Sequence, residues 1–197
     1  LVFVVNEFSS VDVDAGRVAG EGACAVGLAG GSVFCRCMAS RLHATLEELH
    51  LRFWSDVDTV GQGGHEGVVV ECSGLADPRA AAELLRETKL DEKFEIAGVI
   101  AVVDPLAAEK LASVLPVFEG QIEAASLVLV NKRDRVPVER LEAAVAWVRR
   151  IQPSARVVPC AFCRDGVSVE ELLSSRPQRT LANPLATARN PALADGV

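Results

Sequence analysis

Nowhere in this 197-residue chain do lysine and arginine gather into a basic face: 27 acidic side chains outnumber 20 basic ones, for a net charge of -7. Phosphate backbones are gripped by clustered cations, so nucleic acid is a poor partner class. No apolar run approaches the roughly 20 residues that a membrane-spanning helix needs. The start also lacks the charged, apolar and small-residue pattern of a secretory signal. No membrane is therefore expected as a partner, and cytoplasm is the expected compartment. Cysteine is sparse: six, at 24, 35, 37, 72, 160 and 163, too few and too scattered to staple a chain with its own core. Their uneven spacing points to local chemistry instead. An initiating methionine is missing as well, since the chain begins at Leu1 inside an apolar run, which reads as a trimmed or partial chain. There is no internal repeat.

Half the residues are apolar, enough for one domain with a substantial buried core. Five short apolar runs are rich in β-branched residues: LVFVV (1–5), GVVV (67–70), AGVIAVV (97–103), SLVLV (126–130) and ARVVP (155–159). Continuous rather than alternating apolarity is the pattern of strands buried on both faces. Helical spacing fills about 39–54, 78–89, 105–115, 118–125 and 137–151. Alternating strand and helix implies right-handed crossovers and a mainly parallel sheet in an α/β fold. Each run ends on a polar or reactive residue or a turn, at the edge where open α/β sheets bind ligands. Beyond residue 176 three prolines and no periodicity predict a flexible tail or linker, so the domain is placed at 1–175 and the tail at 176–197.

The most specific motif is Asn131-Lys132-Arg133-Asp134, directly after SLVLV. An aspartate there accepts paired hydrogen bonds from guanine N1 and its exocyclic amine, the asparagine meets the other base edge, and the lysine stem covers the ring. Adenine lacks that donor pair and would leave the carboxylate unpaired. A charged loop after a strand is the plainer alternative. Glu71-Cys72-Ser73-Gly74 follows the second run. Its carboxylate can hold a Mg²⁺-bound water, and its glycine lets a backbone N-H approach a γ-phosphate.

VVNEFSSVDVDAG (4–16), VVVECSGLADP (68–78), GVIAVVDP (98–105), QIEAASLVLVNKRD (121–134) and RVVPCAF (156–162) together resemble the CobW-like GTPases, relatives of the nickel-insertion GTPases UreG and HypB. The resemblance runs over most of 2–173 in the same order. It implies a three-layer P-loop NTPase fold and a role in metal or cofactor insertion, with GTP or GDP, Mg²⁺ and Zn²⁺ or another transition metal as ligands. The implied partner is a client metalloenzyme or cobalamin-related enzyme, and a homodimer is compatible with it. It places Glu7 and Asp14 near the Mg²⁺ and transferred-metal sites, Glu71 and Gly74 at the hydrolytic switch, and Cys160 in the guanine-contacting loop. The family's phosphate cradle, GxxxxGK[ST], is absent from the sequence. GQGGHEG (61–67) has neither the lysine nor the Ser/Thr. The fold is therefore expected to be incomplete at its N-terminus, and this stretch alone to bind GTP poorly and hydrolyse it hardly at all.

The family's metal motif, GCxCC, meets Gly31-Ser32-Val33-Phe34-Cys35-Arg36-Cys37-Met38. Aligned on the glycine, only Cys35 survives; aligned on Cys35, Cys37 and Met38 take the other positions. Cys35 and Cys37 are the metal-ligand candidates on a turn, since a Cys-x-Cys pair contributes two of the four ligands of tetrahedral Zn²⁺. The resemblance makes Glu7 the leading third ligand, and Cys72 is an outsider. Core packing is the competing reading, while a disulfide between positions one apart is disfavoured by geometry and by a reducing compartment. Packing is expected for Cys163, solvent exposure for His43 and His50, and core or interface anchoring for Phe53, Trp54 and Trp147. Two rival functions stand beside the GTPase: a nucleotide-insensitive module that docks a client through structural cysteines, and a kinase, which Asn131–Asp134 disfavours by selecting guanine.

Overall fold

A computed structural model describes residues 1–7, 24–54, 67–108, 110, 116–164 and 168. The chain divides into two compact units, one comprising Leu1–Ile96 with Lys110–Gln121 and the other Ala97–Glu109 with Ile122–Val197.

In the first unit β1 (Val2–Glu7) lies between β2 (Cys24–Ala29) and β3 (Val68–Glu71), parallel to both. Val2 is opposite Cys24 on one side and Val68 on the other. Because β1 is central, Val2, Val4 and Val5 are all buried, which is why the run reads as continuously apolar rather than alternating. Strand β2 is an element the sequence reading does not anticipate. Its CAVGLA sequence contains a single β-branched residue, and its β character comes from pairing all six residues with β1. Helix α1 (Arg36–Phe53) carries Met38, Leu42, Leu46 and Leu49 as a buried stripe at spacings of four, four and three. That stripe packs in one cluster with Val2, Val4, Leu28 and Val33. Burying each such leucine contributes about 1.5–3 kcal/mol. Helix α2 (Ala80–Glu87) adds Leu84, and a following 3₁₀ turn adds Leu90. Phe53, Trp54, Phe94 and His50 form an edge-to-face group, with Trp54 and Phe94 6.1 Å apart and His50 6.0 Å from Phe94. Packing against Phe94 therefore accounts for the half-buried His50, where solvent exposure was expected.

The second unit repeats the logic with β4 (Ile100–Val103), β5 (Leu127–Val130) and β6 (Arg156–Pro159), all parallel with β5 central. All four residues of β5 are buried. Helix α4 (Val138–Ile151) covers it with Ala144, Trp147 and Val148, so Trp147 is a core anchor as expected. Helix α3 (Pro116–Glu123) precedes β5. The parallel α/β class expected from the sequence is thus observed, as two three-stranded sheets among the described residues.

Candidate functional site

Three loops leave the carboxyl ends of β4, β5 and β6, and the backbone ladder draws them together. Asn131 N donates to Val103 O at 2.9 Å, Cys160 N to Val130 O at 2.9 Å, and Arg133 N to Cys160 O at 3.1 Å. The Asn131 side chain locks the arrangement: its Oδ1 accepts from Cys163 N at 3.1 Å and lies 3.8 Å from Cys160 Sγ. Lys132 adopts a left-handed backbone, with φ of 63°, and begins the short 3₁₀ turn Arg133–Arg135. Its Nζ is 2.7 Å from Asp104 Oδ2. The bonded Lys132 ammonium holds the Asp104 carboxyl below the usual carboxylate range, against a smaller opposing effect of burial. Asp134 stays accessible, with Arg135 Nε 3.9 Å from its Oδ2. A carboxylate so placed retains capacity to accept hydrogen bonds from a planar donor pair.

Asp104 is the residue that sequence reasoning missed as Lys132's partner. The two lie 28 positions apart, and the only available sign was an acid ending a buried strand. Cys160 is fully buried: its side chain packs in the core beneath the loop, with Sγ against Asn131 Oδ1, and its backbone frames the loop. Cys163, expected to pack, is exposed. Phe162 and Cys163 both take left-handed backbones with φ of 54°, which turns their side chains away from the core, and Phe162 is 70% exposed.

The first unit carries a second loop cluster. Glu71 ends β3, and both Glu71 and Gly74 are exposed. Gln121 Nε2 clamps the turn by donating to Gly74 O at 3.0 Å and Ala76 O at 2.9 Å. A side chain at Gly74 would meet nothing within 4 Å, so packing does not demand glycine there. Glu71's exposed oxygens at a strand end suit a hard cation such as Mg²⁺. Asn6, on β1, is the buried polar residue among the described residues of this unit, and its side chain bonds to Leu28 O, Gly31 O, Val33 N and Ser73 N. Sequence reasoning missed this role because NEF drew attention to its glutamate.

The thiol candidates separate. Gly30 and Gly31 both have φ of 97°, a conformation that favours glycine, and the chain then turns into α1. Cys35 is the N-cap of α1, and Met38 N and Ala39 N donate to Cys35 O at 2.9 and 3.0 Å. Cys37 therefore sits in the first helical turn, where the sequence reading had a loop. Cys35 is disulfide-bonded, against the expectation of a free thiol, so a metal-binding form of this cysteine requires reduction. Met38 is buried in the core, which removes it as a donor. Burial pushes the Cys72 thiol up to about 12, with the Glu71 charge adding to it, so Cys72 resists becoming the thiolate a metal needs. Glu7 and Cys37 are placed by their backbones, at the end of β1 and in α1. Asp14, His65 and the tail 176–197 lie outside the described residues. Among the described residues no group of three His, Cys, Asp or Glu side chains is arranged to hold a metal, and no helix is long and apolar enough to cross a membrane.

The family model for the CobW/HypB/UreG nucleotide-binding domain matches residues 1–159. The chain is 28% identical over 187 residues to the zinc chaperone YeiR of Escherichia coli, covering 94% of this chain and 52% of that protein. It is 24% identical over 189 residues to the zinc chaperone YjiA of the same organism, covering 90% and 57%. Its fold matches the crystal structure of the Zn(II)-bound YjiA GTPase with a TM-score of 0.57 at 20% identity, over 88% of this chain and 52% of that one. The chain spans about half the length of the curated relatives it matches.

Proposed function

The chain belongs to the CobW/HypB/UreG family of nucleotide-binding domains, and on that premise we propose that it is the GTP-responsive part of a metallochaperone that carries a transition metal, zinc by analogy with YeiR and YjiA. The observation that carries this reading is the Asn131–Asp134 loop. Asn131 is fixed to the loop after β6, Lys132 is turned into a left-handed conformation, and the Asp134 carboxylate is left accessible. In this reading Asp134 accepts the guanine N1 and amine protons, Asn131 holds the loop geometry, the Lys132 stem covers the ring, and the Cys160 backbone closes the base edge.

On the first unit, Glu71 would hold Mg²⁺ and Gly74 would offer its N-H to the γ-phosphate. The cation, when bound, offsets charge on the phosphate oxygens. Asp14 joins this group by family resemblance. The GTPase activity belongs to the full-length protein, whose cargo metal is taken by the thiolates of Cys35 and Cys37 after reduction, with Glu7 as third ligand. Delivery is to a client metalloenzyme or cobalamin-related enzyme, in the cytoplasm, from a monomer or a homodimer. GTP orders the Glu71–Gly74 turn and hydrolysis releases it, so metal affinity at Cys35 changes with nucleotide state.

Zinc affinity of the reduced full-length protein, measured with GDP and with a non-hydrolysable GTP analogue, tests the reading. The expected ratio is about fivefold or more; equal affinities would sink it. A nucleotide-insensitive docking module, the rival reading, has no observation here that favours it.

A further inference from the structure

Resting on that reading, we propose that Asn6 is the positioning residue that couples the turn leading to Cys35 with the Glu71–Gly74 turn. Its carboxamide is 5% exposed and uses its full hydrogen-bonding capacity. Nδ2 donates to Leu28 O at 3.0 Å and Gly31 O at 2.9 Å, and Oδ1 accepts from Val33 N at 2.9 Å and Ser73 N at 3.4 Å. Two carbonyls on one side and two amides on the other fix which end is oxygen and which is nitrogen. One side chain on the central strand thus holds the carboxyl end of β2, the glycine pair, the residue two before Cys35, and the turn after β3.

The four bonds are unequal. The one to Ser73 is the longest and sits at the outer limit of hydrogen-bond geometry, so it is the first to yield. Ser73 also has a buried Oγ with no hydrogen-bond partner among the described residues. Buried hydroxyls are almost always satisfied, so any rearrangement of the Glu71–Gly74 turn that gives Ser73 Oγ a partner would be favoured. When it moves, Ser73 N leaves Oδ1, and Val33 N becomes that oxygen's sole backbone partner. The carboxamide then resettles against Gly31 and Val33. The change passes along the short segment to Cys35, whose carbonyl begins α1 through Met38 N and Ala39 N. The nucleotide-sensing turn and the cysteine turn thereby share one two-position element, which is what thermodynamic coupling requires.

Asn6→Asp keeps both acceptor bonds, loses both donor bonds and is nearly isosteric. In the reduced full-length protein, the ratio of Zn²⁺ affinities with GDP and with the GTP analogue should fall from about fivefold or more in the parent toward one in the variant. Affinity for GDP alone should change little, a pattern that a merely structural role would not produce. A parent ratio above one that Asn6→Asp preserves overturns the role of Asn6 and leaves the proposed function standing; a parent ratio of one overturns both. Should the variant fail to fold, amide hydrogen exchange on the unmutated protein decides. Replacing GDP by the analogue should change protection at Val33 as well as at Ser73, and a Val33 amide indifferent to nucleotide overturns the proposal.

Discussion

At the scale of single residues, chemistry follows from what each group is allowed to keep free. Asp134 is the acid in its loop whose nearest cation stays 3.9 Å away, whereas Asp104 is committed to Lys132 at 2.7 Å. Asp134→Ala should therefore weaken GDP binding to the full-length protein by about ten- to a hundredfold, the worth of one or two charged hydrogen bonds. Adenine nucleotide binding should not change in parallel; titration with both nucleotides checks it. The Asp104–Lys132 pair has a defined sign with pH. Because the folded carboxyl is held low, its stabilisation is present above the unfolded value near 4 and is lost as pH falls through the folded value. Lys132→Met should cost about 0.2–1 kcal/mol at pH 7, the range for a solvent-accessible pair, and nothing once Asp104 is protonated. Urea denaturation at both pH values measures this. The cysteines divide in the same way. With its thiol at about 12, Cys72 is only about one part in ten thousand thiolate at pH 8, and thiolate is the reactive form. Cys163 is exposed, so mass spectrometry should find it alkylated long before Cys72.

At the scale of elements, turns and strands show what the sequence could and could not say. The two glycines that matter separate cleanly. Gly31, at φ of 97°, gives its carbonyl to Asn6, and Gly31→Ala should destabilise by about 1–3 kcal/mol because an L side chain is strained there. Gly74 has open space around it and no such backbone, so Gly74→Ala should leave stability within about 0.5 kcal/mol. Its effect should fall on the affinity for the GTP analogue, and an unaltered affinity would remove Gly74 from the phosphate site. Five strands were readable because each carries a short apolar run rich in β-branched residues; of these β5 is buried at every position, whereas Val69 on β3 and Ile100 and Val102 on β4 are exposed, so burial on both faces was expected of more strands than show it. Strand β2 was not, because Ala, Gly and Cys carry no such mark and its register comes from β1. Helix α1 was readable from Leu42, Leu46 and Leu49 at helical spacing, yet it starts three residues earlier than periodicity indicated and so takes in Cys37. The candidate loops were legible where their residues are neighbours in sequence, as in Asn131–Asp134 and Glu71–Gly74. Their contacts were hidden where partners are distant, as with Asp104 and Lys132, or Asn6 and Ser73.

At the scale of the whole molecule, the proposed function makes the nucleotide and metal sites one linked equilibrium. If nucleotide changes zinc affinity by a given factor, zinc must change nucleotide affinity by the same factor. Saturating Zn²⁺ should accordingly shift the protein's preference between GDP and the GTP analogue by the ratio measured in the reverse direction. Disagreement between the two ratios would mean that the metal detected is held elsewhere. Thiolate ligation releases protons, so zinc affinity should also weaken as pH falls.

The position of β1 has a consequence for how the chain is made. Val2 pairs with Cys24 and with Val68, so the strand emerging early in this stretch cannot complete its sheet until about 66 further residues have been synthesised, roughly 3–13 s of translation. LVFVV has two open edges until Cys24–Ala29 emerges, and one edge stays open until Val68–Glu71 follows. Its own sequence gives it every tendency to find the wrong partner, which makes this stretch of the nascent polypeptide the natural place for a holdase to act.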